Sequence, residues 1–322
     1  MSHKLDNLDK RILFELDKNA RIADTQLAKL VRKSKESVRY RIKKLESEGI
    51  ITGFSTWIDP SNLGFMSAKI YLTLANKPKQ KEELINYVKN DKRLLWLGVA
   101  EGAWNMGLTF FVKSNEEFYN LKNELFAKFK DIILESKTAN LVEVIYTDKK
   151  FFHEAKNEWK TVFKFRQNYE LKDIEKKILK ELFKNSRINI VDIANKHNST
   201  VDIVRNRMKK LEASNIISRY TVNIDYNKLG YEFYKTFLYF KSFDKDEETR
   251  LINYTKNQKN IIHLIKQISP WDIELELICE NYHEYNQIIN ELTKLFPNII
   301  QKVETAIISE NYEFASKHLI FE

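Results

Sequence analysis

The sequence predicts an α+β chain in which one two-module unit is written twice. Three observations predict it: an internal repeat, a change of apolar period inside each copy, and an uneven split of charge between the modules. At a shift of 166 residues the 322-residue chain matches itself without a gap, residues 8–65 on 174–231, with about 23 identities. Lys10/Lys176, Asn19/Asn185, Arg21/Arg187, Ala28/Ala194, Val38/Val204, Arg39/Arg205, Arg41/Arg207, Leu45/Leu211 and Gly64/Gly230 are among them. With one residue of slip Trp104 falls on Trp271 and Phe129 on Phe296. A period this long means duplicated domains, not a solenoid.

Each copy opens with three short helices. Leu8, Ile12, Leu13 and Leu16 line one helical face, Leu27, Ala28 and Val31 a second, and Val38, Ile42 and Leu45 a third. Ser34 and Thr200 stand where the third helix of each copy needs a side-chain N-cap. Gly49, Ile50, Ile51 and the alternation from Phe54 to Ile58 then read as a β wing. The period next changes to strand–helix–strand–strand–helix–strand: residues 66–74, 81–90, 94–99, 104–112, 114–129 and 132–146, echoed at 233–240, 247–257, 261–267, 271–279, 282–295 and 299–308. That order is the split βαβ, ferredoxin-like pattern, an antiparallel sheet with helices on one face. Apolar strands in both copies (Ile70, Leu72, Leu74; Phe237, Leu238, Phe240) and the helix-free face of each sheet predict that the two sheets pack as a pseudo-twofold pair.

The expected domains are a winged helix over 1–52, a ferredoxin-like assembly and effector domain over 53–147, a linker over 148–170, a second winged helix over 171–218 and a second ferredoxin-like domain over 219–322. Phe152, Ala155, Trp159 and Phe163 fall at helical spacing, so the linker reads as an amphipathic helix.

Charge sharpens the division. Residues 1–52 carry 13 Lys/Arg against 8 Asp/Glu and residues 171–218 carry 11 against 6, an excess of +5 on each helical module; residues 53–150 come to +2 and residues 219–322 to −4. Basic heads on a near-neutral body fit a polyanionic partner such as double-stranded DNA. One cysteine, Cys279, excludes a disulfide framework and a multi-cysteine zinc site. Seven glycines leave no Walker or dinucleotide fingerprint. The N-terminus lacks a signal-peptide core and no apolar run is long enough to span a membrane, so a cytoplasmic location without membrane attachment is expected.

With Val38, Ile42 and Leu45 turned inward, the third helix presents the opposite arc to a partner. A helix in the major groove reads base edges from its N-terminal half and meets phosphates with basic flanks. Lys35, Ser37, Arg39 and Tyr40 are therefore candidate base contacts, and Arg41, Lys43 and Lys44 candidate phosphate contacts, with Arg32 and Lys33 in the preceding turn also at the backbone. In the second copy Arg205, Arg207, Lys209 and Lys210 keep the grip, while Ile203 and Asn206 replace Ser37 and Tyr40. Shared grip with diverged readout predicts an imperfect palindrome as operator.

These residues resemble the Lrp/AsnC, or feast/famine, transcription regulators: Leu8-Asp9-x-x-Ile12-Leu13, Asn19-x-Arg21-Ile22, Leu27-Ala28 and Ser34-x-x-x-Val38-x-x-Arg41-Ile42-x-x-Leu45-Glu46-x-x-Gly49-Ile50-Ile51 follow that family's helix-turn-helix signature. The resemblance covers both copies and implies a DNA-binding regulator made of two fused protomers, an intramolecular pseudo-dimer open to further homo-oligomerisation. It also implies an amino acid or related small effector held at a Gly-x-aromatic-Asp loop. Gly102 and Asn105 in the first copy and Ser269 and Asp272 in the second are the corresponding candidates, each copy keeping part of the loop motif. No catalytic residue, metal or cofactor is expected, and the chain is expected not to be an enzyme. The alternative is a siroheme-decarboxylase-like enzyme, since such enzymes are similar in being paired AsnC-type units. They carry Arg-Glu-His-x-aromatic-Asn where this chain has Ala100-Glu101-Gly102-Ala103-Trp104-Asn105. His263 is the one histidine in an expected core strand, where a packed residue is the commoner case than a haem ligand.

Overall fold

A computed structural model describes residues 4–153, 159–164, 168–242 and 244–314. The first copy runs α1 (Asn7–Lys18), α2 (Asp24–Val31), α3 (Lys35–Ser47), β1 (Ile51–Ile58), β2 (Met66–Leu74), α4 (Pro78–Lys89), β3 (Leu94–Gly102), β4 (Met106–Val112), α5 (Asn115–Lys128) and β5 (Ile133–Thr147). A short strand, β6 (Trp159–Val162), follows. The second copy runs α6 (Asp173–Lys184), α7 (Ile190–Lys196), α8 (Val201–Ala213), β7 (Ile217–Ile224), β8 (Glu232–Phe240), α9 (Lys245–Asn257), β9 (Ile261–Ile268), β10 (Ile273–Cys279), α10 (Tyr282–Leu295) and β11 (Ile300–Glu313). Contacts divide the chain by layer, not by copy: the helical modules of both copies make one compact unit and the sheet modules of both make the other.

In the helical unit the caps do what their residue types allow. Asp6 accepts the backbone N–H of Asp9 at 2.8 Å and Asp9 reaches back toward the N–H of Asp6, a capping box that starts α1. Ser34 and Thr200 accept from Ser37 and Ile203 to start α3 and α8. The wings β1 and β7 pair antiparallel, Ile51 opposite Ile224 and Ile58 opposite Ile217, and Ser55 faces Thr221, its own counterpart one repeat on. A pseudo-twofold axis passes there. Reciprocal bonds obey it: Ala20 N–H donates to Tyr220 O and Ser186 N–H to Phe54 O, both at 3.0 Å, while Asp225 N–H donates to Ile50 O and Asp59 N–H to Ile216 O. A two-stranded ribbon is marginal alone. This one is held because Ile51, Phe54 and Val222 are buried in one core with Ile12, Leu16, Leu27, Val38 and Leu45.

In the sheet unit the strand order closes on itself, β2-β4-β3-β11-β8-β10-β9-β5, with β5 returning to β2. The closure comes from two long strands. The first half of β5 pairs with β2 and its second half with β9, while β11 pairs first with β8 and then with β3. Each copy's last strand thus completes the other copy's sheet and removes its edge. Ile70, Leu72 and Leu74 pack outward beneath α4 and α5, with Leu84, Val88, Phe118 and Leu125. Their odd-numbered neighbours, pointing the other way, meet the second copy: Tyr71, Trp104, Phe237 and Trp271 form the aromatic centre, with Tyr71 5.2 Å from both tryptophan rings. The faces that meet are the helix-free ones, carrying Lys69, Tyr71 and Phe237, while Ile70, Leu72 and Leu74 of the first copy, named with them, lie on the helix side.

Between the copies the expected amphipathic helix is not what forms at its C-terminal part. Trp159–Val162 is a strand, and Phe152 is buried in the core of the helical unit; Ala155 lies outside the described residues. Apolar residues every fourth position suit a helix, but Lys160, Thr161 and Val162 alternate as an extended chain equally well, and β-branched residues favour that choice. Among the described residues no helix is long and apolar enough to cross a membrane.

Candidate nucleic-acid interface

On α3, Val38, Ile42 and Leu45 are buried and Arg39, Tyr40 and Lys43 exposed, Tyr40 at 66%. On α8, Val204, Met208 and Leu211 are buried while Ile203, Arg205, Asn206, Lys209 and Lys210 are exposed. An isoleucine left 45% exposed at the N-terminal half of such a helix is costly in water and useful against a thymine methyl. Lys35, Ser37 and Lys44 are half-buried on α3, and Arg32 and Lys33 are exposed in the turn before it.

The arginines are not equivalent. Arg39 donates to Asp24 at 2.6 Å while remaining 57% exposed, and Arg205 pairs with Asp202. Arg41 is turned onto α1, where its Nη1 lies 2.6 Å from Asp6 and 3.1 Å from Asp9. Arg207 makes the matching contact, 3.5 Å from the fully buried Glu175. Arg41 and Arg207 brace the third helix of each copy against the first, so the phosphate role expected for them meets an internal competitor. The hydrogen bond and charge of Asp6 raise the Arg41 pKa further.

Between the copies, Arg21 donates to Ser186 O and, at 2.9 Å, to Ile188 O, and Arg187 to Ala20 O and Asp24. Arg21, Asp24, Arg187 and Ile188 line a cleft of about 490 Å³ on the pseudo-twofold axis, together with Asn189, Val201 and Arg205. The N-terminal ends of α2, α7 and α8 converge there.

Arg32 caps α2 in the left-handed region, φ 54° and ψ 49°, and Asn198 takes the corresponding place in the second copy at φ 49°. Asparagine tolerates that conformation; for arginine it costs roughly 1–2 kcal/mol. Arg32→Gly should therefore raise stability by about 0.5–1 kcal/mol in urea denaturation, after the glycine's own entropy is deducted. A loss of stability would show that the Arg32 side chain is held by its surroundings.

The effector-loop candidates sit in the sheet unit and are bonded to backbone. Asn105 accepts from Leu74 N–H and Asp272 from Phe240 N–H, at 2.8 and 2.7 Å, so both tie the loop to the end of a neighbouring strand. In the first copy the loop is shut down on β11: Ala103 N–H donates to Thr305 O, and a Cβ on Gly102, whose φ is +115°, would stand 2.4 Å from that oxygen. In the second copy Ser269 bonds Trp271 O, and a shallow cleft of about 320 Å³ opens beside Ser269 and Pro270 against Thr138, Ala139 and Asn140.

The interior of the sheet unit holds a constellation that the sequence did not reveal. Glu274, fully buried, accepts from Lys69 at 3.0 Å and from Tyr71, Lys235 and Gln267 at 2.8 Å each. Glu276 takes Lys235 and His263. Burial would push both carboxyls up, but the Lys235 ammonium holds both below the usual range, helped by Lys69 at Glu274 and His263 at Glu276. In sequence these charges read as the solvent side of alternating strands.

Two basic recognition helices, joined wing to wing, define a winged helix-turn-helix protein of the DNA-binding class. A family model described as winged helix-turn-helix DNA-binding matches residues 5–52 and again 171–218. The HTH-type transcriptional regulator Ptr1 of Methanocaldococcus jannaschii is 38% identical over 101 residues, 31% of this chain and 68% of the relative. The HTH-type transcriptional regulator LrpA of Pyrococcus abyssi is 28% identical, over 40% of this chain and 90% of its own length. The chain belongs to the Lrp/AsnC family of transcriptional regulators, as two tandem copies.

One expectation is overturned. The siroheme decarboxylase NirDL matches with a TM-score of 0.65 over 98% of both chains at 14% identity. It matches in a second structure, a co-complex with an iron-uroporphyrin III analogue, over 96% of this chain. The expectation that the chain is not an enzyme is corrected accordingly: its whole-length architecture is one that an enzyme uses. Spacing along a sequence detects a triad or a carboxylate pair, whereas catalytic groups gathered from separate strands leave no such trace.

Proposed function

We propose that this chain is a sequence-specific DNA-binding regulator whose α3 and α8 engage the two halves of one operator. The observation that carries the reading is the pair of outward arcs: exposed Arg39, Tyr40 and Lys43 with half-buried Lys35 and Ser37 on one helix, and exposed Ile203, Arg205, Asn206 and Lys209 on the other, within one unit around one pseudo-twofold axis. Lys43, Lys44, Arg205, Lys209 and Lys210 grip phosphate, with Arg32 and Lys33, and Arg39, at the edge of the base-reading arc, is assigned to phosphate with its counterpart Arg205. The base readers differ, so the operator is an imperfect palindrome, with Asn206 suited to an adenine edge, Ile203 to a thymine methyl and Lys35 to guanine acceptors.

Selection of binding sites from random DNA tests this. The wild type should recover half-sites of unequal sequence with centres ~34 Å apart or a multiple of that. Ser37→Ile with Tyr40→Asn should make the selected site more symmetric. A perfect palindrome selected by the wild type would overturn the asymmetric readout, and no selection at all would overturn DNA recognition. The small effector, an amino acid or a relative of one, is proposed to use the cleft beside Ser269.

A second reading, a siroheme-decarboxylase-like enzyme, has the whole-length fold likeness in its favour. Siroheme titration followed by absorption, with mass analysis for loss of carbon dioxide, decides between the readings.

A further inference from the structure

In both units the charges that join the copies are supplied unequally. In the helical unit Asp17, 1% exposed, takes Arg219 Nη2 at 3.0 Å and Thr221 Oγ1 at 2.8 Å from the second copy, besides Lys149 from its own. One repeat on from Asp17 stands Phe183, and one repeat back from Arg219 stands Gly53, so the pair is made once and not twice. In the sheet unit Lys69 and Lys235 are counterparts of each other, but the carboxylates that neutralise them, Glu274 and Glu276, belong to the second copy alone; the first has Gly107 and Thr109 at those places. The pair beside this cluster is simpler still. Lys137 and Glu304 are repeat counterparts of opposite sign, and they meet at 2.9 Å.

We propose that the contact face of each copy is complementary to the other copy and excludes a second copy of itself, so that this chain closes as an obligate pair of unlike halves. The charges decide it. Two first copies together would bring two buried lysines with no carboxylate and set Lys137 against Lys137. Two second copies would bring four carboxylates to two lysines, set Glu304 against Glu304, and leave each buried Arg219 facing Phe183. A buried charge without its partner is strongly destabilising, and like charges across a contact add to that. Only the mixed pair balances, two cations with two carboxylates in the sheet unit and Asp17 with Arg219 in the helical one. The signs run opposite ways in the two units, since the first copy gives the carboxylate in one and a cation in the other. An overall difference in charge between the copies does not produce that pattern.

The intact chain can be made to mimic the forbidden pair by giving the second copy the first copy's residues: Arg219→Gly, Glu274→Gly, Glu276→Thr and Glu304→Lys. The expected result is a melting temperature lower by about 10 °C or more. Adding Lys69→Met and Lys235→Met should recover at least half of the loss, because the stranded cations are then gone. A mimic melting within about 3 °C of wild type overturns the proposal, and so does a further loss on adding the methionines, which would mark ordinary packing damage. A second measurement reads exclusivity directly. The folded chain is cut at a protease site placed between the copies, unfolded in urea, refolded and weighed by native mass spectrometry. Unlike pairs alone are expected; like pairs at statistical proportions overturn the proposal. If the cut chain does not refold, the methionine rescue decides.

Discussion

Glu274→Ala is expected to lower the stability of the sheet unit by about 3–5 kcal/mol, the size of loss that follows when one side of a buried ion pair is removed. The loss is large because Glu274 is the carboxylate to which Lys69, itself 4% exposed, is bonded, and because the Tyr71 hydroxyl and the Gln267 amide donate to it as well. Replacing the whole set with methionine at 69, 235, 274 and 276 should instead be neutral or add about 1–4 kcal/mol, since well-packed apolar groups avoid the desolvation of four charges. Urea denaturation followed by the fluorescence of Trp96, Trp104 and Trp271 measures both. A single-variant loss below about 1 kcal/mol would mean that water reaches the cluster. Acid offers a second readout. Burial favours the protonated form of Asp17, but the Arg219 and Lys149 cations hold its pKa at about 2, below the ordinary 3.8. Glu274 and Glu276 are lowered in the same sense. The unfolded chain therefore binds more protons than the folded one in this range. The stability these groups contribute is complete above about pH 5 and is lost as pH falls toward 2.

The repeat, the caps and the apolar faces of α1, α3, α6 and α8 were readable because each depends on residues close in sequence. Ser34 and Thr200 cap helices by bonds spanning three residues, and the buried stripe of α3 falls where its 3.6-residue period puts it. What stayed hidden depends on partners brought in from other elements, dozens to hundreds of residues away. Lys69 lies between Ala68 and Ile70 and reads as the polar side of a half-solvated strand, yet its ion partner is Glu274. Both faces of β2 are buried, and alternation cannot tell solvent from a polar interior. The same limit hid the passage of β5 from one sheet to the other, because a 15-residue strand does not reveal which edges it joins. Among the interface residues, exposure at Tyr40, Ile203 and Asn206 followed from the helix period. The diversion of Arg41 and Arg207 did not, since it needs Asp6 and Glu175 brought in from the first helix of each copy.

That diversion shapes the salt dependence expected of DNA binding. The cations left for phosphate are Arg32, Lys33, Arg39, Lys43 and Lys44 of the first copy and Arg205, Lys209 and Lys210 of the second, all exposed except the half-buried Lys44. If each neutralises one phosphate, the plot of log affinity against log salt should fall with a slope of roughly −7, and raising salt from 50 to 200 mM should weaken binding by about four orders of magnitude. Lys43→Ala or Lys209→Ala should flatten the slope by about 0.9 and weaken binding to every sequence alike, because a phosphate contact carries no sequence information. Arg41→Ala should behave differently. Its guanidinium holds α3 to Asp6 and Asp9, so the variant should lose stability, most of all by leaving the buried Asp9 without its cation, while the slope changes little. Fluorescence anisotropy on a labelled duplex at five or more salt concentrations separates the two effects. A slope that flattens as much for Arg41→Ala as for Lys43→Ala would mean that DNA draws Arg41 away from α1. The bond to Asp6 would then be a resting contact that the operator replaces.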